Sequence, residues 1–233
     1  MFTRLLKKIN LTTSVVEFFF ARPQNFNPQP GQYVNLVLDK VARAYSISGI
    51  LEDSFSLTIE IIEGGRFTSL LSNLQIGDNI KMLGPIGKFT LEKIPIDSDL
   101  IFLATGVGIA PIKIMIESLL PETEINFHSQ RIRHLFLYHG LRFVKDIYYK
   151  DCFDKLMKEN NHFHYELWLS KGEEIFGSYN IGHIQDGLDK LTLSNLKSPH
   201  FFICGSKQAV NDLQEYLLQK GYSEESIHFE RFN

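Results

Sequence analysis

The chain has 233 residues, of which 44% are hydrophobic and 22% charged, with a formal net charge of -3. That balance excludes disorder and removes any global basic field for nucleic acid, and the length suffices for one large domain or two small ones. No apolar run reaches a membrane span, since the longest, Ile109 to Leu120, contains Lys113 and Glu117.

Met1 to Asn10 carries Arg4, Lys7 and Lys8 but no apolar stretch long enough for a signal peptide. The expectation is a cytoplasmic protein without membrane attachment. The two cysteines, Cys152 and Cys204, match no zinc or redox spacing. Each is expected as a free thiol, and no metal site is expected.

The first part of the chain reads as strands. Val15-Val16 and Phe18 to Phe20 form one run, and Tyr33 to Leu38, after the turn-prone Gln29-Pro30-Gly31, forms a second. Ala44 to Ser48 is a third. Leu57, Ile59 and Ile61 alternate with Thr58 and Glu60, the pattern of a half-buried strand. Asn79 to Leu83 is a fifth, and Lys88 to Leu91 is taken as the sixth. Short strands at this density predict a small antiparallel barrel.

From Leu100 the rhythm changes. Apolar runs at Leu100–Ala104, Leu135–His139, Tyr165–Leu169 and Phe201–Cys204 alternate with helix-period segments at Ile109–Leu120, at Asp146–Lys158 and around Val210, Leu213 and Leu217. Such alternation predicts a parallel sheet with helices on both faces. The expected fold class is therefore an α+β two-domain chain: an antiparallel barrel over 1–94, then an α/β domain over 98–233. The boundary falls near Glu92 to Ser98, where Pro95, Asp97 and Asp99 interrupt the pattern.

Five stretches carry candidate chemistry. In Arg43-Ala44-Tyr45-Ser46, the arginine and the ring share one strand face. The guanidinium suits a phosphate, at about 1.5–3 kcal/mol per charge-assisted bond, and the ring suits a flat partner. In Gly64-Gly65-Arg66-Phe67-Thr68, the threonine stands as the expected N-cap of a helix whose first turn suits a diphosphate. In Thr105-Gly106-Val107-Gly108-Ile109-Ala110-Pro111, a buried strand enters a glycine loop and then a helix, the context of a dinucleotide site, with Pro111 where a third glycine is usual. Cys204-Gly205 ends a buried strand on the edge where α/β sheets bind ligands. Glu230 and Phe232 stand in the tail. Taken singly, four of these read more readily as an ordinary strand, a capped helix, a small core residue and a chain end, while the glycine loop is moderately specific for a dinucleotide against a tight strand-to-helix turn.

Their order is more telling than any one of them. With Gly77-Asp78, Gly84-Pro85-x-Gly87-x-Phe89 and His139-Gly140-x-Arg142 between them, they resemble the ferredoxin-NADP reductase superfamily over nearly the whole chain. Thr68-Ser69-Leu70-Leu71, His139 to Arg142 and Tyr149-Lys150-Asp151 are most similar to its bacterial ferredoxin/flavodoxin-NADP reductases. The resemblance implies a Greek-key barrel that carries FAD and an α/β domain that binds NADPH, or else NADH. It implies that Arg43, with Ala44 beside it, contacts the FAD pyrophosphate, Tyr45 packs on the isoalloxazine, and Ser46 lies near flavin N5. Gly65, Phe67 and Thr68 would hold the pyrophosphate. Thr105, Gly106, Gly108 and Pro111 would form the nicotinamide-nucleotide loop. Cys204, with Gly205, and Glu230 would line the hydride-transfer site, and Phe232 would cover the flavin face. The pair Ser170-Lys171, which stands where the family has Ser-Arg, would meet the 2'-phosphate; lysine keeps the charge but not the fork, and Arg142 would be a further cofactor-binding residue.

The implied activity is hydride transfer from NADPH to the flavin and single-electron release to a transient ferredoxin or flavodoxin partner, by a monomer. The alternatives are a free flavin reductase, an oxygenase reductase, or a regulatory subunit that binds FAD without turnover. Free flavin reductases usually carry Phe where Tyr45 stands. Two cysteines cannot ligate an iron–sulfur cluster that takes four.

Overall fold

The computed structural model describes residues 1–92, 94–120, 132–172, 179–191 and 196–232. Lys93, inside the expected boundary stretch, and Asn233, at the end of the tail, lie outside the described residues.

The barrel closes from six antiparallel strands: β1 (Phe2–Asn10), β2 (Val15–Ala21), β3 (Tyr33–Leu38), β4 (Val41–Ile50), β5 (Ser54–Glu60) and β6 (Asn79–Ile86). Their order around the barrel is β1-β2-β5-β4-β3-β6, with β6 pairing back to β1. Closure pairs every strand on both sides, although β4 meets β5 only from Ile47 onward. Phe18, Phe20, Phe55, Leu57, Val34, Leu36 and Met82 fill the interior. Helix α1 (Arg66–Asn73) follows β5 and adds Phe67 and Leu71 to the same core.

Two expectations for this half are corrected. The sixth strand is Phe2–Asn10, not Lys88–Leu91; the latter is irregular, and its Phe89 is buried against Phe202 at 5.7 Å between ring centroids. Strand β5 is not half-buried, because Phe55 through Ile59 are all buried. Its second face, bearing Ser56 and Thr58, is covered by the other half of the chain: the Thr58 and Tyr149 hydroxyls lie 2.7 Å apart.

The second half is a six-stranded parallel sheet ordered β10-β9-β8-β7-β11-β12. Its strands are β7 (Ser98–Thr105), β8 (Ile132–Leu141), β9 (Phe163–Leu169), β10 (Asn180–Ile181), β11 (His200–Ser206) and β12 (Ile227–Phe232). Alternate residues of β7 face opposite layers. Leu100, Phe102 and Ala104 pack under α2 (Ile109–Leu119) and α3 (Lys150–Glu159). Ile101 and Leu103 pack under α4 (Ile184–Lys190) and α5 (Lys207–Gln219). Burial on both faces is why β7 reads as a continuous apolar run. The tail is not a frayed end: it forms β12, parallel to β11 in the register Cys204↔Glu230 and Ser206↔Phe232. No described helix is long and apolar enough to cross a membrane.

The halves meet through α2, whose Ile114 enters the barrel core while Ile112 and Met115 stay in the sheet core. A polar seam lies beside it. Ser56 Oγ donates to Glu17 Oε1 at 2.8 Å, and the Ser48 and Ser56 hydroxyls are 3.1 Å apart. Lys113 donates to Ser48 O at 3.4 Å and pairs with Glu117 at 2.8 Å.

Candidate active site

The strand order places the site before any side chain is considered. From β7 the chain runs outward through β8, β9 and β10, then returns to the other side of β7 as β11 and β12. The order therefore reverses between β7 and β11. Ligands of open α/β sheets bind in the crevice at the carboxyl ends of such a pair. Here that crevice is formed by Thr105-Gly106 and Cys204-Gly205.

The loop after β7 is a 3-10 turn, Gly106–Gly108, leading into α2. Its glycines do different things. Gly106 has φ 53°, and a Cβ there would meet nothing within 4 Å, so its backbone borders open space. A Cβ on Gly108 would lie 2.1 Å from the Cys204 carbonyl oxygen, so the turn sits directly on the end of β11. Pro111, third in α2, is buried. Behind the loop, His139 is fully buried with Nε2 3.3 Å from Gly106 O.

On the same sheet face stand Cys204 and, on β12, Glu230 and Phe232. Cys204 is 1% exposed. Burial, and secondarily the Glu230 carboxylate, push its thiol well above the ordinary range, so it stays neutral. Ser46 Oγ, from β4 of the barrel, donates to Glu230 Oε2 at 3.0 Å. Burial raises the Glu230 pKa, and the Ser46 bond opposes the shift. Residues 184 positions apart in the chain thus meet across the two halves. Phe232 is half-buried and packs against the cluster that includes Cys204 and Tyr148.

The barrel side of the crevice is more open. Strand β4 pairs with β3 over Val41–Ser46 but with β5 only from Ile47 onward, so the Ala42–Tyr45 stretch has one unpaired edge. Ala42, Arg43 and Ala44 are exposed in succession. The Tyr45 ring lies 5.9 Å from that of Phe67, which ties this edge to α1. Burial lifts the Tyr45 phenol to about 12, with Arg43 opposing.

At α1 the expected cap is corrected. The N-cap is Gly65, and Thr68 lies inside the first turn. Its hydroxyl faces inward, accepting from Ile62 N at 3.2 Å and lying 3.2 Å from Gly65 O. A Cβ on residue 65 would come within 2.7 Å of that hydroxyl, which is why glycine stands there. No side chain caps the helix and its first turn holds no acidic residue, so its N–H groups and dipole are left for an anion. An open strand edge, an exposed arginine, an uncapped helix and a glycine loop at a switch point fit two dinucleotides.

Arg142, Ser170 and Lys171 gather at the carboxyl ends of β8 and β9. Lys171 N donates to Arg142 O at 2.9 Å, and Ser170 N to Leu141 O at 3.0 Å. The neighbourhood includes two residues the sequence did not single out. Phe143 is exposed, with Lys145 Nζ at 5.4 Å and Lys171 Nζ at 5.8 Å from its ring centroid. A cluster of Arg and Lys within four positions after a strand end was the available signal. Also missed was the Glu17 seam, signalled by one carboxylate inside an apolar run. A polar cleft of about 820 Å³, lined by Lys88, His200 and His228 among others, lies at the opposite, amino-terminal ends of β11 and β12 and holds none of the expected site residues.

Residues 3–91 match the oxidoreductase FAD-binding domain and residues 102–215 match the oxidoreductase NAD-binding domain. The class is thus a flavin- and nicotinamide-dependent oxidoreductase, an enzyme that binds FAD and NAD(P). Ferredoxin–NADP reductase B of Sorangium cellulosum (strain So ce56) is 31% identical over 244 residues, covering 99% of this chain and 96% of the relative. The chain belongs to the ferredoxin–NADP reductase family. The phenol hydroxylase P5 protein of Acinetobacter pittii (strain PHEA-2) is 28% identical across 97% of this chain, which spans 63% of that relative. Among solved structures, a ferredoxin NADP+ reductase from Neisseria gonorrhoeae with bound FAD and NADP superposes with a TM-score of 0.84 at 25% identity, covering 99% of this chain and 98% of that one.

Proposed function

We propose that the enzyme takes electrons from NADPH and passes them singly to a small protein carrier of the ferredoxin or flavodoxin type. The observation that carries the reading is the 3.0 Å Ser46–Glu230 bond across the two halves, beside Cys204 at the switch point. It brings a hydroxyl, a carboxyl and a neutral thiol to one place, where they orient a nicotinamide without attacking it. The relative that shares nearly the whole span is named a ferredoxin–NADP reductase, whereas the phenol hydroxylase component runs beyond the part matched here. That favours a carrier protein over an oxygenase as acceptor.

Residues 1–94 act as the flavin unit and 98–233 as the nucleotide unit. Bound FAD supplies hydride acceptance and single-electron release. The chain's own groups bind and orient. Arg43, the Ala44 edge and the first turn of α1 at Gly65, Phe67 and Thr68 take the pyrophosphate of FAD, and Tyr45 offers its ring to the flavin. Thr105, Gly106, Gly108 and Pro111 shape the nucleotide loop, with Gly205 across the crevice. Ser46 donates to Glu230 and fixes its carboxyl in place, while burial raises that carboxyl's affinity for a proton. Phe232 competes for the flavin face and must move before a second ring stacks. Arg142 and Lys171 favour NADPH by charge, and the Ser170 hydroxyl offers a hydrogen bond beside them.

The test is steady-state reduction of cytochrome c by NADPH and by NADH, with and without added ferredoxin or flavodoxin. NADPH is expected to be preferred, and carrier to raise the rate. Equal rates with both nucleotides would remove the 2'-phosphate assignment. A rate indifferent to either carrier, with turnover on free flavin or on an oxygenase, would move the protein to the alternative class.

A further inference from the structure

We propose that His139 is a positioning residue for the nucleotide loop: its Nε2–H holds the Gly106 carbonyl and thereby aims the next peptide N–H, that of Val107, at the nicotinamide dinucleotide. The inference rests on the reading of that loop as the nucleotide site.

His139 ends the apolar part of β8, level with Ala104 of β7 in the sheet register. It is 0% exposed, its Nε2 lies 3.3 Å from Gly106 O, and its Nδ1 has no partner among the described residues. The Tyr148 ring meets it edge-on at 5.6 Å. Were the proton on Nδ1, two acceptors would face each other at Gly106, so the contact selects the Nε2–H tautomer. An aliphatic residue would fill this apolar layer without leaving a ring nitrogen unpaired. The polar ring is therefore accounted for by what it does to Gly106.

The consequence follows from the peptide itself. In a planar trans peptide the C=O and the following N–H point to opposite sides. With the Gly106 oxygen drawn back into the sheet, the Val107 N–H is turned the other way. Gly106 borders open space, and its φ of 53° is a conformation that glycine adopts freely. The Ile109 N–H also donates to Gly106 O, so this one oxygen anchors the turn from two directions. Burial holds the His139 pKa down at about 4, with the Gly106 bond opposing, so the ring stays neutral throughout the assay range.

The experiment compares His139→Phe, which keeps a ring without a donor, with His139→Gln, whose amide nitrogen reaches as far as Nε2. NADP+ affinity is titrated, and flavin content, kcat and KM are recorded for each. The Phe variant should bind NADP+ about tenfold more weakly, a loss of about 1.4 kcal/mol, with kcat at saturating NADPH within about twofold of the parent. The Gln variant should recover all but about threefold, and the parent's KM should be flat from about pH 6 to 8, since the ring is neutral there. Parental affinity in the Phe variant would overturn the proposal, as would a Gln variant no better than Phe while both keep their flavin. Independently of any variant, imidazole nitrogen chemical shifts in the parent should report Nε2–H; an Nδ1–H tautomer would overturn it. A parent protein with no affinity for either nucleotide would instead refute the nucleotide reading itself.

Discussion

The two walls of the crevice are built on different principles. On the barrel wall the proposed binding groups are bare: Ala42, Arg43 and Ala44 lie exposed, β4 is unpaired on one side over Ala42–Tyr45, and α1 starts without a side-chain cap among the described residues. On the sheet wall the groups are packed before any ligand arrives. Cys204 is buried, the Gly106–Gly108 turn rests on its backbone, and His139 is enclosed behind. On the proposed reading, the first wall is completed by its cofactor. The second is a piece of the core that borders the crevice. Damage to each should therefore show in a different state of the protein.

The largest effect is expected on the packed wall. Gly108→Ala puts a Cβ 2.1 Å from the Cys204 carbonyl oxygen, where the obstacle is backbone and cannot swing aside. Overpacking of this kind costs about 3 kcal/mol. The loss should appear in the flavin-free protein as well as the loaded one, read as a lowered urea midpoint. Gly106→Ala is the control: its Cβ meets open space, so only the cost of φ 53° applies, about 1 kcal/mol. Equal losses from the two would show that the loop does not rest on β11.

Arg43→Ala should do the reverse. Arg43 is exposed, and among the described residues its guanidinium donates only to the adjacent Ala42 O, so the flavin-free protein should keep its midpoint. The loaded protein should lose about 2 kcal/mol, one charge-assisted phosphate contact, because a ligand stabilises only the state it binds. Flavin content after gel filtration should fall in parallel. A variant that retains its flavin as the parent does would free Arg43 of the phosphate role.

The same contrast explains what the sequence could tell. Packed elements were legible where both faces were apolar, as in β7, β8 and β11. Strand β1 was not, because a bulge between Leu5 and Lys7 breaks its period of two and its two lysines suggest a tail. Lys88–Leu91 looked like a strand because Phe89 and Leu91 alternate, but they serve as packing residues on an irregular connection. Strand β12 shows only a broken alternation, since it lies at the sheet edge. The candidate site residues were picked out by order and by resemblance, while their geometry was not legible. Nothing local to Thr68 says that its hydroxyl turns inward to hold Ile62 and Gly65. Likewise β5 cannot announce a second covered face, because the residue that covers it, Tyr149, comes 91 positions after Thr58.

Phe232 lies where the two walls meet, and its removal should be milder. It is half-buried at the end of β12, so Phe232→Ser should cost about 1 kcal/mol of stability, part of what a fully buried ring contributes. Its informative effect is on the nucleotide. If the ring competes for the flavin face, NADP+ should bind more tightly without it, and long-wavelength charge-transfer absorbance should grow. Unchanged affinity and spectrum would leave Phe232 with a packing role alone.

The smallest effect is a slope with pH, and it belongs to the bond that joins the walls. Burial raises the Glu230 pKa in the folded protein, more than the Ser46 hydrogen bond lowers it. Between the ordinary carboxylate value and that raised value, the native chain binds more protons than the unfolded one. Stability from this group is therefore complete below the unfolded pKa and is lost as pH rises through the folded pKa. Other carboxylates titrate in the same range, so the quantity to measure is the difference in urea midpoint between the parent and Glu230→Gln, in flavin-free protein. That difference should drift against the parent as pH climbs through the window and level off above it. Ser46→Ala should extend the drift to higher pH, because removing the donor leaves the carboxylate less compensated while burial persists. Parallel curves for all three proteins would mean that Glu230 ionises in the folded state as freely as in the unfolded chain, and that burial across the crevice does not hold its proton.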